Sequence, residues 1–435
     1  MEGQVDDGTA VAEAACPVLQ SGRLMFRRVI TVIVLLLAGT WLLADRLEDT
    51  FYVPLDHPAI HYAQPTDDDP VARLEKRLES GQAKLEYAPN DTGYLASVLR
   101  ALGISTDSQI LVFSKTSIQN SHIGPRTPRA IYFNDDVAVG FVQNGDEIEL
   151  SSLDPRQGVI FYTLDAAKSQ KPEFGRRDDC LRCHQGSPTL GIPGLLISSI
   201  HPRSEQLRDM HGAAFVTDHR IPFNERWGGW YVTGTHGSQT HLGNNTALVD
   251  PVQSGPPGGP ETQNVTSLAD RFDTSKYLAQ TSDIPALMTL EHQTRMINLM
   301  VRLGWDARIN GKIDDTEIEE LVTYMLFADE APLKGPVAGV STFSTSFARR
   351  GPRDPQGRSL RDFDLKTHLF RYPLSYMIYS TAFDAMPEIV RERVYRRLYD
   401  ALTAKTASTD QRAAWEIVRE TKPNLPAYWK TGSSQ

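Results

Sequence analysis

Hydrophobic and polar positions along this chain follow three successive patterns. Residues 29–44 (VITVIVLLLAGTWLLA) form an apolar run without a charge. Between Gln109 and Leu164 the pattern breaks into short β-type runs: ILVF from Ile110, AIYF from Ala130, VAVGFV from Val137, EIEL from Glu147 and GVIFYTL from Gly158. Asn-Asp-Asp, Asn-Gly-Asp and Asp-Pro separate these runs, and turn residues at such spacing predict an antiparallel meander. Further apolar runs follow at 194–200 and 230–233, and then a Pro/Gly-rich break at 251–260 (PVQSGPPGGP). Beyond it the period becomes helical. Helices are predicted over 284–303 and 314–328, the second opened by Asp314 and Glu317 at capping-box spacing, with Ile318, Leu321, Val322 and Met325 on one stripe. Another is predicted over 387–402, where Val390, Val394 and Leu398 share a face. Shorter helices are predicted around Leu74 and Leu78 and over 93–102, while 332–361 reads as structureless. No internal repeat is visible. The fold class is α+β, with an antiparallel β meander first and a mainly helical C-terminal part after it.

The first apolar run bears on location. Arg23, Arg27 and Arg28 precede it, and Asp45, Glu48 and Asp49 follow it. That asymmetry keeps the N-terminus inside and sends the body outside. Sixteen residues fall between a signal-peptide core and a full span. Leu42 stands where a cleavage site would want a small residue, which favours an uncleaved transmembrane anchor over a removed signal. Translation from Met25 would leave a short leader of ordinary type. The body is expected in the periplasm in either case, tethered or released.

Composition narrows the function classes. The net charge of −9 provides no basic footprint for nucleic acid and is compatible with a basic redox partner protein. Of three cysteines, Cys16 precedes the apolar run, so only Cys180 and Cys183 are exported. No Ser/His/Asp order, phosphate-binding glycine loop or H-E-x-x-H motif is present.

The exported cysteines belong to Cys180-Leu181-Arg182-Cys183-His184, the C-x-x-C-H signature of covalent haem attachment. Two thiols one helical turn apart can each add to a vinyl group of one porphyrin, and the adjacent histidine then supplies an axial nitrogen to the iron. Structural zinc would need a second ligand pair, and no other Cys pair exists. A thioredoxin-like redox motif would be expected at the start of a helix after a strand in a βαβ setting, a sequence pattern this segment lacks. The stretch resembles the haem site of mono-haem c-type cytochromes. The resemblance covers about twenty residues and implies one covalent haem c, bound through Cys180, Cys183 and the proximal ligand His184. It also implies a carbonyl for the second nitrogen of His184, for which Gly191-Ile192-Pro193-Gly194 is the equivalent loop. The organisation expected is a cytoplasmic N-terminus (1–28), an anchor or signal (29–44), a linker (45–70), an α+β haem-binding domain (71–250) and a helical domain (264–435).

The second axial position decides between electron transfer and catalysis. Small electron-transfer cytochromes use a downstream Met, whereas Met210 lies here in a charged segment, LRDMHG. Histidines are the alternative distal candidates. His236 and His241 lie in a glycine-rich loop where the backbone can approach a flat cofactor, although a polar-turn role fits them equally. His292 shares a helix face with Met288, Met296 and Met300, a stripe that core packing also explains. His201, His211 and His219 stand among charges, and His57, His61 and His122 carry no pattern. Arg176, Arg177 and Arg182 suit haem propionates or a solvated cluster. Trp227, Trp230 and Tyr231 suit a ring edge or a strand core.

Three functions follow from this site. The leading one is a mono-haem c-type cytochrome carrying single electrons. Second is a peroxidase-like haem oxidoreductase with an open sixth iron position, served by His236, His241 or His292 as acid/base; chain length argues for it. A haem-based redox or gas sensor is third. Residues 227–245 and 363–384 also resemble parts of exported bacterial haem proteins, which implies no activity.

Overall fold

In the computed structural model the described residues are 54–64, 68–89, 92–200, 214–249 and 259–431. The apolar run 29–44 and Cys16 lie outside them. Among the described residues no helix is long and apolar enough to cross a membrane.

The five runs of the predicted meander fall in a seven-stranded antiparallel sheet. Strands β1 (Ile110–Val112), β2 (Arg129–Phe133), β3 (Val137–Phe141), β4 (Glu147–Asp154), β5 (Gly158–Asp165) and β6 (Phe174–Arg176) pair in sequence order. Strands β7 (Ser198–Ile200) and β8 (Ala214–Val216) form a separate pair, and β9 (Trp230–Tyr231) adds to the free side of β1. The turn residues act through their side chains. Asn134 Oδ1 accepts from the backbone N–H of Asp136 and Val137, and Asp154 Oδ1 accepts from Arg156 and Gln157. Asx turns of this kind reverse the chain locally and set the hairpin register.

Helices dominate after the sheet. The longest, Ile284–Asn310, continues past the predicted end and stops at Gly311, whose φ of 65° suits a left-handed cap. The predicted capping box is present at helix Asp315–Met325, where Asp314 and Glu317 bond each other's backbone N–H. Helix Glu388–Thr403 buries Val390, Val394 and Leu398. The long helix is fastened to the hairpin ends of the sheet. Gln293 donates to the carbonyl of Asn134, and Trp305 Nε1 donates to that of Arg156. Sheet and helices thereby belong to one unit, Pro54–Gln435.

One segment departs from expectation. Within 332–361, expected to lack structure, Phe343–Arg349 is helical. Phe343 and Phe347 lie four residues apart and bury against Phe363. The run is too short and too rich in Ser and Thr to show a helical period, so packing rather than propensity decides it.

Candidate haem-attachment site

Strand β6 delivers the motif. Arg177 N–H donates to the carbonyl of Phe161 on β5, prolonging the edge pairing, and the chain then tightens into a 3-10 turn, Asp178–Cys180. The helical turn Leu181–His184 follows. Residues three apart on a helical turn share a face, so Cys180 and Cys183 lie on one side. Both thiols are free; Cys180 is half-buried and Cys183 exposed. Burial, with the charges of Asp179 and Glu149, pushes the Cys180 thiol up to about 11.

A tight loop then returns the chain to His184. Thr189 Oγ1 donates to the Ile192 carbonyl at 2.8 Å, with the His184 and Gly186 carbonyls 3.2 Å away, and Leu190 and Gly191 take positive φ (60° and 75°) to make the reversal. Gly194 ends up against His184. Its N–H donates to the His184 carbonyl at 2.9 Å, and its carbonyl stands 2.9 Å from His184 Nδ1. A carbonyl can only accept, so Nδ1 carries the proton and the ring's lone pair is on Nε2. Among the described residues, Nε2 has no hydrogen-bond partner. Burial holds the imidazole below its ordinary pKa, so it is neutral near pH 7. The ring packs on Phe161, with centroids 4.7 Å apart.

Asn298 on the long helix secures this loop. Its Oδ1 accepts from Leu195 N–H at 3.2 Å and its Nδ2 donates to the Leu195 carbonyl at 2.7 Å. A Cβ on Gly194 would lie 2.3 Å from Asn298 Oδ1, so only glycine fits there.

The donor set fits haem c. Two free thiols stand one turn apart, and a neutral histidine is fixed through Nδ1 with Nε2 uncommitted. Among the described residues no group of three or more His, Cys, Asp or Glu is arranged to hold a bare metal ion. A porphyrin brings the in-plane nitrogens itself, so one histidine suffices on the protein's side. Two of the expected propionate arginines have other partners. Arg176 donates to the Tyr62 carbonyl and lies over the Tyr62 ring, while Arg177 pairs with Glu147 and Asp179 at 2.8 and 2.9 Å. Arg182 is exposed.

The distal candidates fare differently. His292 is fully buried, with Nε2 2.7 Å from Ser375 Oγ and Nδ1 2.9 Å from His219 Nδ1. Both nitrogens are engaged, so as placed it offers no lone pair to iron. His236 Nε2 accepts from Asn264 N–H at 2.9 Å, which leaves Nδ1 protonated and likewise without a lone pair. His241 is buried with both nitrogens unpartnered, packed against His236, Phe223 and Trp227. His236 and His241 follow β9, the strand at the opposite edge of the sheet from β6. His201, Met210 and His211 lie outside the described residues.

Trp227, Trp230 and Tyr231 are core residues. Trp227 Nε1 donates to Glu291, which also pairs with Arg226, and both partners of that ion pair are buried. Nothing in the sequence around Arg226 or Glu291 signals this contact, because the two lie on segments with no shared motif. The pairing of Arg129 with Glu149 likewise has no local sequence signal. A sheet register would have revealed it, since the two residues lie on the same face of strands separated only by β3.

The chain matches no known protein family, no curated protein and no solved structure.

Proposed function

We propose that this chain is an exported mono-haem c-type cytochrome that passes single electrons, anchored in the membrane by residues 29–44 or released into the periplasm. One observation carries this reading: two free thiols on one helical turn beside a histidine whose Nδ1 is held by the Gly194 carbonyl. Cys180 and Cys183 would form the thioether links and His184 Nε2 the axial bond. The haem supplies a one-electron iron couple when bound. The Gly194 carbonyl orients the imidazole and raises its basicity as a ligand. Phe161 supports the ring from the sheet. An acidic chain, at −9, suits docking of a basic redox partner.

The reading is tested by producing the protein in cells that attach haem to exported cytochromes, then denaturing it and recording a pyridine haemochrome spectrum. Wild type should keep covalent haem, and the Cys180→Ala/Cys183→Ala variant should lose it. Haem-free wild type, or a double variant that retains covalent haem, overturns the proposal. Spectra with carbon monoxide then separate the functions. Low-spin iron indifferent to carbon monoxide supports electron transfer, whereas high-spin iron that binds it replaces this reading with the oxidoreductase or sensor.

A further inference from the structure

The registers of the central strands define the surface beside the attachment turn. Phe161 pairs with Ser151, Ser151 with Ala138, Glu149 with Gly140, and Gly140 with Ile131. Cross-strand partners share a face, so these residues and Arg129, two positions from Ile131, line one side of the sheet. The other side, including Tyr132, Val139 and Leu150, is buried. On the motif side Ile131 and Ala138 stay half-buried, although β2 and β3 are interior strands. An apolar shelf therefore remains partly open in the middle of the sheet. Phe161, which shares that face, is the residue His184 rests on.

Arg129 crosses this shelf. A Cβ at Gly140 would meet its Nη2, Nε and Cζ at 2.6, 2.8 and 3.0 Å, so the guanidinium lies flat over the glycine. From there it reaches Glu149 at 2.5 Å. Ser117 Oγ and Gln119 Nε2 also donate to Glu149, at 2.5 and 2.9 Å, and hold that carboxylate in place. Arg129 Nε is buried without a partner. Of the arginines around the motif, Arg176 and Arg177 are engaged by Tyr62, Asp178, Glu147 and Asp179, whereas Arg129 keeps an unused donor.

We propose that this shelf is the bed of the tetrapyrrole: Ile131 and Ala138 cover its apolar surface, Phe161 backs the axial His184, and Arg129, steadied by Glu149, binds a propionate. The proposal rests on the haem reading above. A planar apolar ring gains by covering half-exposed apolar residues. The small Ala138 lets it approach the sheet, and the guanidinium lying flat over Gly140 can both stack on a ring and bond a carboxylate.

The test uses full-length protein in which covalent haem has been established; its absence overturns the haem reading and the shelf together. Methyl spectra of the oxidised protein are compared with those of Cys180→Ala/Cys183→Ala. The paramagnetic iron should shift or broaden the methyl signals of Ile131 and Ala138 more than those of Val139 on the opposite face. Haem-loaded protein with Ile131 and Ala138 unchanged overturns the shelf and leaves the haem reading intact. Arg129→Gln, which removes a cation from the haem edge, should keep covalent haem and lower the midpoint potential, with partial recovery in Arg129→Lys. An unchanged potential in Arg129→Gln removes Arg129 from the proposal.

Discussion

The carbonyl of Gly194 lies 2.9 Å from Nδ1 of His184, and Asn298 holds the next residue, Leu195, by both its N–H and its carbonyl. The orientation of the imidazole thus depends on a side chain of the long helix. Asn298→Ala removes both hydrogen bonds to the half-buried Leu195 backbone, a cost of about 1–3 kcal/mol at about 0.5–1.5 for each bond. Urea unfolding measures that loss. In haem-loaded protein the midpoint potential should also rise, because a loosened Gly194 carbonyl weakens the imidazole as a donor.

His292 belongs to the core. Replacing it by Phe keeps the aromatic packing with Tyr324 and Phe327 but leaves His219 Nδ1 unpaired and removes one of two bonds from Ser375 Oγ, which keeps the Met377 N–H. A loss of about 1–3 kcal/mol is expected for the buried group left unpaired. Haem content and the visible spectrum should not change. A spectral shift in His292→Phe without unfolding would return it to the iron.

Stability should depend on pH through buried groups of opposite sign. Burial depresses His292 and His241 to about 3, so the unfolded chain takes up their protons first as pH falls below the ordinary histidine value. Their contribution is complete above that value and is lost as the pH drops toward 3. Burial raises Glu291 to about 7 against the pull of Arg226, so its contribution is complete below the ordinary glutamate value and is lost as pH climbs toward 7. Between pH 5 and 6.5 the histidines outweigh it, and stability rises with pH. Glu291→Gln removes the opposing slope and should steepen that rise by about 1.4 kcal/mol per pH unit. Denaturant titrations at several pH values test this; an unchanged slope contradicts it.

The two thiols should differ in reactivity. Cys180 is half-buried with its pKa raised to about 11, and Cys183 is exposed. In reduced, haem-free protein at pH 8, iodoacetamide should label Cys183 at least about tenfold faster than Cys180, since only the thiolate attacks. Peptide mass spectrometry reads the ratio, and equal labelling refutes the burial of Cys180.

Strands β1 to β5 and their order were legible from local pattern, because Asn134 and Asp154 act on backbone within three residues of themselves, whereas β6, β8 and the return of β9 to the side of β1 were not. The helix Phe343–Arg349 was not, since Phe343 and Phe347 gain their stability from Phe363, sixteen or more positions away. The expectation that the glycine-proline loop answers His184 agrees with the Gly194 contact. Among the distal candidates, sequence pattern left His236, His241 and His292 all open, and their hydrogen-bond partners tell them apart.

By itself the sequence determined the Cys180–His184 motif and the five central strands, whose information lies in neighbouring residues: a five-residue motif, turn side chains, alternating burial. Tertiary structure alone decided which nitrogen of His184 is free, which histidines are committed to the core, and that Arg129 lies across Gly140 to Glu149. Each of those outcomes depends on a partner brought close by packing, as Ser375 is to His292 across 83 positions, and no local pattern records such a partner.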